Sequence, residues 1–558
     1  MTPAAAPPIA RCRQAQGIAA ISIGVTALIA LILVHQRAGV RNPFGVPVFR
    51  HLILFQDYHA VLPFIVILLA ALAQPVRAFG LQLAGWCGRH PGPVALATIV
   101  VLAFGGHAVY HLHPLSMDEY TAVFQSKIFA EGRLTGAWPP ALADWLAPSW
   151  LQGRFIRMSA ASGAAVSSYW PGFALLLAPF TALQVPWLLN PLVGGATVLV
   201  MHRLGTALFE TEESAGLVVL LTLASPAVTI NAISYYSMPA HFLANALFAL
   251  LLLRPAPVRA AFAGFVGSIA LVLHSPAPHL LFALPWFIWL LLRPDRLRVL
   301  AWLLAGYLPF TLLLGWGWSF FIETAAGRLG PATALTAGNA LAILIGKLQG
   351  VAGWTSETGH GGQLYGLAKL WLWAVPGLVA VAAMGAWRVR RSGGAWLPLI
   401  GSALLTYFAF FLVPFDQGHG WGFRYFHSAW LVLPLLAVAA LQRGETGSRL
   451  PGYLAGCAAL SLAFLTTLFA LQVEHFIAKH LSQLPAQTRG SARVIFIDRA
   501  VGYYAWDLAQ NDPFLRNQVI RLISRGPQLD KEMMARHFPQ FSTLDAAPNG
   551  TVWGVPAP

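Results

Sequence analysis

Apolar residues come along this chain in long runs. They lie near 17–35, 58–75, 93–112, 186–203, 214–231, 237–253, 260–274, 279–292, 298–317, 367–386, 395–414, 424–441 and 452–472. A helix needs roughly 20 apolar residues to cross the hydrocarbon core of a bilayer. The pattern therefore predicts an all-α polytopic membrane protein, a bundle of about 13 transmembrane helices. One more apolar stretch, 170–184, opens with Trp170-Pro171-Gly172 and reads as a re-entrant or interfacial helix. The first run, Gly17 to Val34, follows Arg11 and Arg13. It is longer than the core of a secretory signal and lacks a clear small-residue exit, so it reads as an uncleaved first span.

Arginine orients the bundle. With the N-terminus inside, the predicted inner loops carry Arg77 and Arg89, then Arg203, Arg254 and Arg259. Arg293, Arg296 and Arg298 follow, then Arg388, Arg390 and Arg391, and finally Arg443 and Arg449. This is the positive-inside pattern. Counting 170–184 as a full span would reverse it. Arg37, Arg41 and Arg50, in an outer loop, run against it. Three larger polar regions then fall outside: 113–169, 318–366 and the tail from about 473, where function concentrates in loops. The tail reads as a small soluble α/β module. Arg493 to Asp498 is patterned as a buried strand, and Tyr503–Ala509 and Phe514–Ser524 as helices.

Composition narrows the class. Of 558 residues, 57% are hydrophobic and 10% charged, against about 25% charged in soluble domains. Only a lipid solvent absorbs that excess of apolar side chains. The net charge of +15 sits in short loops and forms no basic stripe with interleaved aromatics, which argues against nucleic acid as a partner. Cys12, Cys87 and Cys457 are far apart and fit neither a disulfide framework nor a metal spacing.

Two regions could carry chemistry. The first outer loop opens His113-Pro114-Leu115-Ser116-Met117-Asp118-Glu119-Tyr120. Tyr120, Val123, Phe124 and Ile128 share one helical face, so the two acids stand in the first turn of an amphipathic helix lying on the membrane surface. A structural reading competes, because Ser116 and Glu119 have capping-box spacing and acids suit a helix start. Glu119 fits the cap; Asp118 is left without a local role. The second region, Phe415 to His427, places Arg424 at the outer end of a span beside a glycine-rich turn. Its guanidinium could clamp a phosphate in two places; interfacial snorkelling is the competing reading. His241, His274, His279, Glu357 and His360 gather at the same outer level. A lone histidine is more often packing than ligand, but several near spans on one side count together as functional candidates.

These residues carry a resemblance. A span, an outer loop opening with Asp118-Glu119, and an amphipathic helix ending Glu131-Gly132-Arg133-Leu134 come first. Tyr169-Trp170-Pro171-Gly172-Phe173, many spans and a late Arg424-Tyr425 follow. The chain resembles the C-type (GT-C) glycosyltransferases, most of all bacterial relatives of protein O-mannosyltransferases and the lipid A aminoarabinose transferase. The likeness covers most of residues 90–440 and implies a GT-C-like catalytic region over 93–472. Residues 1–92 would be extra N-terminal helices and 473–558 a periplasmic module. It implies a multi-pass protein of the bacterial inner membrane, its active site facing the periplasm. A sugar would pass from a polyprenyl-phosphate donor to an envelope glycan, lipid or protein acceptor, usually with inversion. Asp118 would be the general base, with Glu119 orienting it or holding the acceptor. Arg424, Tyr425, His419, His241, Lys127, Tyr169 and His360 are the candidate substrate-binding residues. A divalent cation, magnesium or manganese, stays open as an aid to the two acids.

The chemistry suits the residues independently. A sugar phosphate is an activated donor, so the enzyme needs a base for the acceptor hydroxyl and cations for the leaving phosphate. Asp118 supplies the first; Arg424 with one of Lys127, Arg133, Arg154 or Arg157 supplies the second. A secondary transporter or flippase is the alternative, and would place its polar residues near mid-span in paired halves.

Overall fold

The computed structural model describes residues 8–325, 361–411, 417–442, 448–485 and 492–555. Helix occupies each of the apolar runs within them. Among the described residues six helices are long and apolar enough to cross a membrane: Gln14–Ala38, Val48–Ala70, Pro91–Ala108, Pro186–Phe209, Arg296–Ala325 and Leu450–Leu481. Shorter apolar helices, among them Met238–Leu252, Pro257–Val272, Ala277–Leu291 and Trp396–Phe410, complete the bundle. Leu31, Phe104, Leu313 and Trp316 are each at least two-thirds exposed on its outside (67–72%). Side chains so apolar stand there because the surrounding solvent is lipid, and the chain is a multi-pass membrane protein.

Some spans break where proline removes a donor or glycine admits a left-handed turn. Glu212–Leu223 stops before Pro226 and resumes as Pro226–Asn231. Gly361–Leu372 resumes as Leu378–Val389 after Gly377, whose φ is +86°. The stretch read as re-entrant forms the 11-residue helix Gly172–Ala182. At 1.5 Å per residue it is about 16 Å long, roughly half the hydrocarbon thickness. The expected inner loop around Arg77 and Arg89 is instead the helix Gln74–Arg89. Glycine, glutamine and arginine dilute its hydropathy, yet the small residues let it pack closely. A Cβ on Gly80 would lie 2.4 Å from the Ala455 backbone, and one on Gly88 2.1 Å from the Glu212 carbonyl oxygen. Deeper in the bundle, Lys369 Nζ lies 2.9 Å from Asp57 Oδ2, with both side chains fully buried.

The first long loop and the tail build one body at one end of the bundle. The loop contributes the helix Met117–Ala130 and a small antiparallel sheet. The tail forms a four-stranded sheet in the order Ile520–Ile523, Ala492–Ile497, Gly550–Gly554, Ser542–Ala547. Its first pair is parallel, with Val494 opposite Ile520. That strand overturns the helix expected over 514–524, and the helix expected over 503–509 is a short 3-10 turn, Ala505–Leu508. Strand preference depends on a partner distant in sequence, which a local pattern does not contain. Phe124, Ile128, Trp138 and Ile156 of the loop share a core with Val494, Phe496, Leu522 and Met533 of the tail. The helix Met117–Ala130 therefore does not lie open on a membrane surface. Tyr120 and Phe124 face the loop–tail core, and Val123 joins the core of the bundle.

Candidate functional site

Ser116 starts the loop helix. The Glu119 carboxylate accepts hydrogen bonds from the backbone N–H of Leu115 (3.0 Å) and of Ser116 (3.3 Å), the reaching-back half of a capping box. Its second oxygen accepts from the N–H of Tyr235 at 2.8 Å. Glu119 is fully buried and fastens the helix start to the Tyr235-Tyr236-Ser237 break ahead of the helix Met238–Leu252. Burial pushes its carboxyl up to about 7, against the lowering effect of the backbone N–H groups of Tyr235 and Ser116. Asp118, one residue earlier, projects about 100° around the helix, into a cavity.

There Asp118 Oδ2 meets both terminal nitrogens of Arg424, at 3.2 and 3.1 Å. The Tyr169 hydroxyl donates to Oδ1. Burial alone would raise the Asp118 carboxyl. The charges of Arg424 and His274 and the hydrogen bonds from Tyr169 and Arg424 overcome it and hold the group below its ordinary value. The Arg424 guanidinium lies 4.5 Å from the centre of the Tyr236 ring, and the Tyr169 ring rests 3.9 Å from that of His274.

A glycine turn aims Arg424. Gln417 accepts the Arg424 backbone N–H at 2.7 Å and donates to the Gly422 carbonyl at 2.9 Å. Gly420 has φ +130°, and a Cβ there would sit 2.1 Å from Arg424 Cδ, so only glycine leaves the side chain room. Trp421 donates to the Tyr110 hydroxyl at 2.7 Å, and Asn231 donates to the Trp421 carbonyl at 2.9 Å.

The cavity has a volume of about 130 Å³. Asp118, Tyr169, Tyr236, Ser237, His241, His274, Arg424, Tyr425 and Ser428 supply its polar wall, and Trp170, Phe173, Leu273 and Phe410 its apolar one. His241 is 2% exposed, and neither of its ring nitrogens has a hydrogen-bond partner among the described residues.

Of the residues singled out in the sequence, Asp118, Tyr169, His241, His274, Arg424 and Tyr425 come together here. Glu119 sits behind the wall. His419 pairs instead with Asp507 of the tail at 3.1 Å, and Lys127 lies 3.8 Å from Asp512. Arg157 pairs with Glu323; Arg133 and Arg154 lie over the rings of Phe514 and Phe155. His279 bonds Asn245 and Tyr307 inside the bundle. His360 and Glu357 lie outside the described residues. Tyr236 and Ser237 were missed. Their signal was a polar break, Ser234 to Ser237, between two apolar runs. The acids do not present a shared metal site: Glu119 is engaged by backbone N–H groups and Asp118 by Tyr169 and Arg424. Among the described residues no group of three or more His, Cys, Asp or Glu could hold a metal ion.

No family model and no curated protein matches the sequence. Among solved structures the chain is similar to ArnT from Cupriavidus metallidurans bound to undecaprenyl phosphate. Identity is 12% and the TM-score 0.52, over 83% of this chain and 97% of that one. The apo state of the same protein aligns at 11% identity and a TM-score of 0.48, over 82% and 97%. At such identity the first likeness speaks for architecture alone: the chain shares the polytopic membrane fold of that structure.

Proposed function

We propose that this chain is a membrane glycosyltransferase that moves a sugar from a polyprenyl-phosphate donor to an envelope acceptor at the outer face of the inner membrane. The observation that carries this reading is the Asp118–Arg424 pair on the wall of a partly open cavity. A donor phosphate entering the cavity competes with Asp118 for the same guanidinium, whose five N–H donors can serve two anions. Drawing Arg424 toward the phosphate relieves what holds Asp118 low while its burial persists, so the carboxylate gains basicity once the donor is in place. The acceptor hydroxyl then gives its proton to Asp118. Its oxygen bonds the anomeric carbon as the bond from that carbon to the phosphate oxygen breaks. The polyprenyl phosphate leaves with the electron pair, its charge met by Arg424. Displacement from the opposite face inverts the anomeric centre. Glu119 acts as a positioning residue, tying the Asp118 turn to the Tyr235–Ser237 break.

The undecaprenyl phosphate bound by ArnT supports a polyprenyl carrier here, and the apolar wall of Phe173 and Leu273 suits its first isoprene units. The arginine distribution supports an outward-facing site. The transport reading looks for acids inside the bundle; Asp57 there is paired with Lys369, whereas Asp118 stands at the cavity. The test is mass spectrometry of envelope glycolipids and glycans from a deletion strain carrying either the wild-type gene or Asp118→Asn. A species one sugar short should accumulate in the deletion, and Asp118→Asn should transfer about 10²- to 10⁴-fold more slowly. Activity within about threefold of wild type, far below that range, would sink the base assignment.

A further inference from the structure

A second concavity lies away from the catalytic cavity and shares none of its lining residues. It has two lobes, of about 480 and 320 Å³, which meet at His51, Phe476 and Lys479. One wall is the connection after the first span and the start of the second, with Phe44, Phe55 and Gln56; the other is the end of the helix Leu450–Leu481. Tyr503 and Asn549 of the tail close the top.

Its depth in the membrane follows from length. The helix Leu450–Leu481 has 32 residues, about 48 Å at 1.5 Å per residue, against about 30 Å of hydrocarbon. Its last turns, around Lys479, therefore project into the headgroup layer on the face that carries the tail, with Leu471 about 12 Å lower along the helix, at acyl depth. The lower lobe is mixed: Phe55, Phe476 and Leu471, 63% exposed, give it an apolar strip beside Gln56, His59 and Gln472. Polar donors stand above it. Lys479 is exposed, forms no ion pair among the described residues and rests its ammonium 5.2 Å from the Phe44 ring. His480 is 2% exposed; its Nδ1 faces the Gln483 amide nitrogen at 3.4 Å, and its Nε2 has no partner among the described residues. The buried Gln56 Nε2 has none either. Among the described residues no acid lines either lobe. Arg37 packs over Phe55 and Tyr58 beside it, and with Arg41 it is among the cations that break the positive-inside pattern.

We propose that this groove holds the headgroup of an anionic phospholipid of the outer leaflet. The phosphate would meet Lys479 and His480, and the acyl chains would run down Phe55 and Leu471. Unpartnered buried donors, an apolar strip of Phe55, Phe476 and Leu471, and the lack of a lining acid among the described residues match a negatively charged amphiphile. They match a zwitterionic one less well, because its cationic group would stand beside Lys479. A lipid seated there would also bridge the tail to the N-terminal spans.

The experiment takes the full chain in nanodiscs of phosphatidylcholine with phosphatidylglycerol, released gently and weighed by native mass spectrometry. Wild type should keep phosphatidylglycerol in preference to phosphatidylcholine. Lys479→Gln should lower that retention about fivefold, one surface cation's share of an anionic-lipid interaction, and Lys479→Glu should lower it further. Millimolar inorganic phosphate should not displace the lipid. Equal retention of the two lipids by wild type overturns the proposal without reference to any variant. So does full retention by a Lys479 variant with an unchanged melting temperature. Displacement by inorganic phosphate would make this a free-anion site and overturn it as well.

Discussion

Asp118 is held below its ordinary value by Arg424 and Tyr169 despite burial, while Glu119, the next residue, is pushed up by burial to about 7. One helical step separates a carboxylate facing a cavity from one facing backbone N–H groups. The sequence showed half of this: Glu119 had a capping job and Asp118 had none. It did not show Tyr236 or His274 against the pair, because those contacts join residues more than a hundred positions apart. The raised Glu119 value fixes a sign. Its folded value lies above its unfolded one, so the stability it contributes is fully present below about 4.5 and is lost as pH rises through about 7. The detergent-solubilised protein should melt at lower temperature at pH 8 than at pH 5.5, and Glu119→Gln should flatten that difference. An unaltered slope in the variant would assign the titration elsewhere. For Arg424, replacement by lysine keeps the charge and loses the fork. Donor KM should rise about tenfold or more, the worth of one charge-assisted hydrogen bond. Steady-state kinetics with varied donor would show it, and an unchanged KM would return Arg424 to interfacial snorkelling.

At the scale of elements, the site depends on breaks rather than on regular helices. The Gln417–Gly422 turn aims Arg424, the Tyr235–Ser237 break receives Glu119 and places Tyr236, and Gly172–Ala182 sets Phe173 in the cavity wall. Glycines and prolines made these breaks visible in the sequence; what each break points at was not. Gly420→Ala should displace Arg424, because the new Cβ would meet its Cδ at 2.1 Å. Transfer should fall by roughly 10²-fold, the usual cost of a 1 Å misplacement, with expression maintained. Gly418→Ala is the control. It also has positive φ, at +68°, but a Cβ there would meet no described residue within 4 Å, so it should cost about 1 kcal/mol of stability and leave transfer near normal. Equal activity losses in the two would detach the effect from Arg424. The helix Gln74–Arg89 teaches the converse. Hydropathy passes over it, and its small residues become meaningful only against Leu450–Leu460 and Glu212–Leu223.

For the whole molecule, the face carrying loop and tail, opposite the short arginine-bearing loops, should be the outer one. In spheroplasts, an impermeant maleimide should label Lys531→Cys, an exposed tail position, without lysis. Labelling that required lysis would place the tail inside and invert the topology. The sequence by itself determined the membrane class and the helical state of nearly every apolar run. Those follow from local composition, since twenty apolar residues cross a bilayer whatever they pack against. It also marked Asp118 and Arg424, each a charge at the edge of an apolar run. Tertiary structure decided what surrounds them. It paired residues 306 positions apart, turned Glu119 and Lys127 away from the cavity, gave His419 to Asp507, and merged the first loop and the tail into one core. Those outcomes depend on partners far apart along the chain, and no local window holds both members of such a pair.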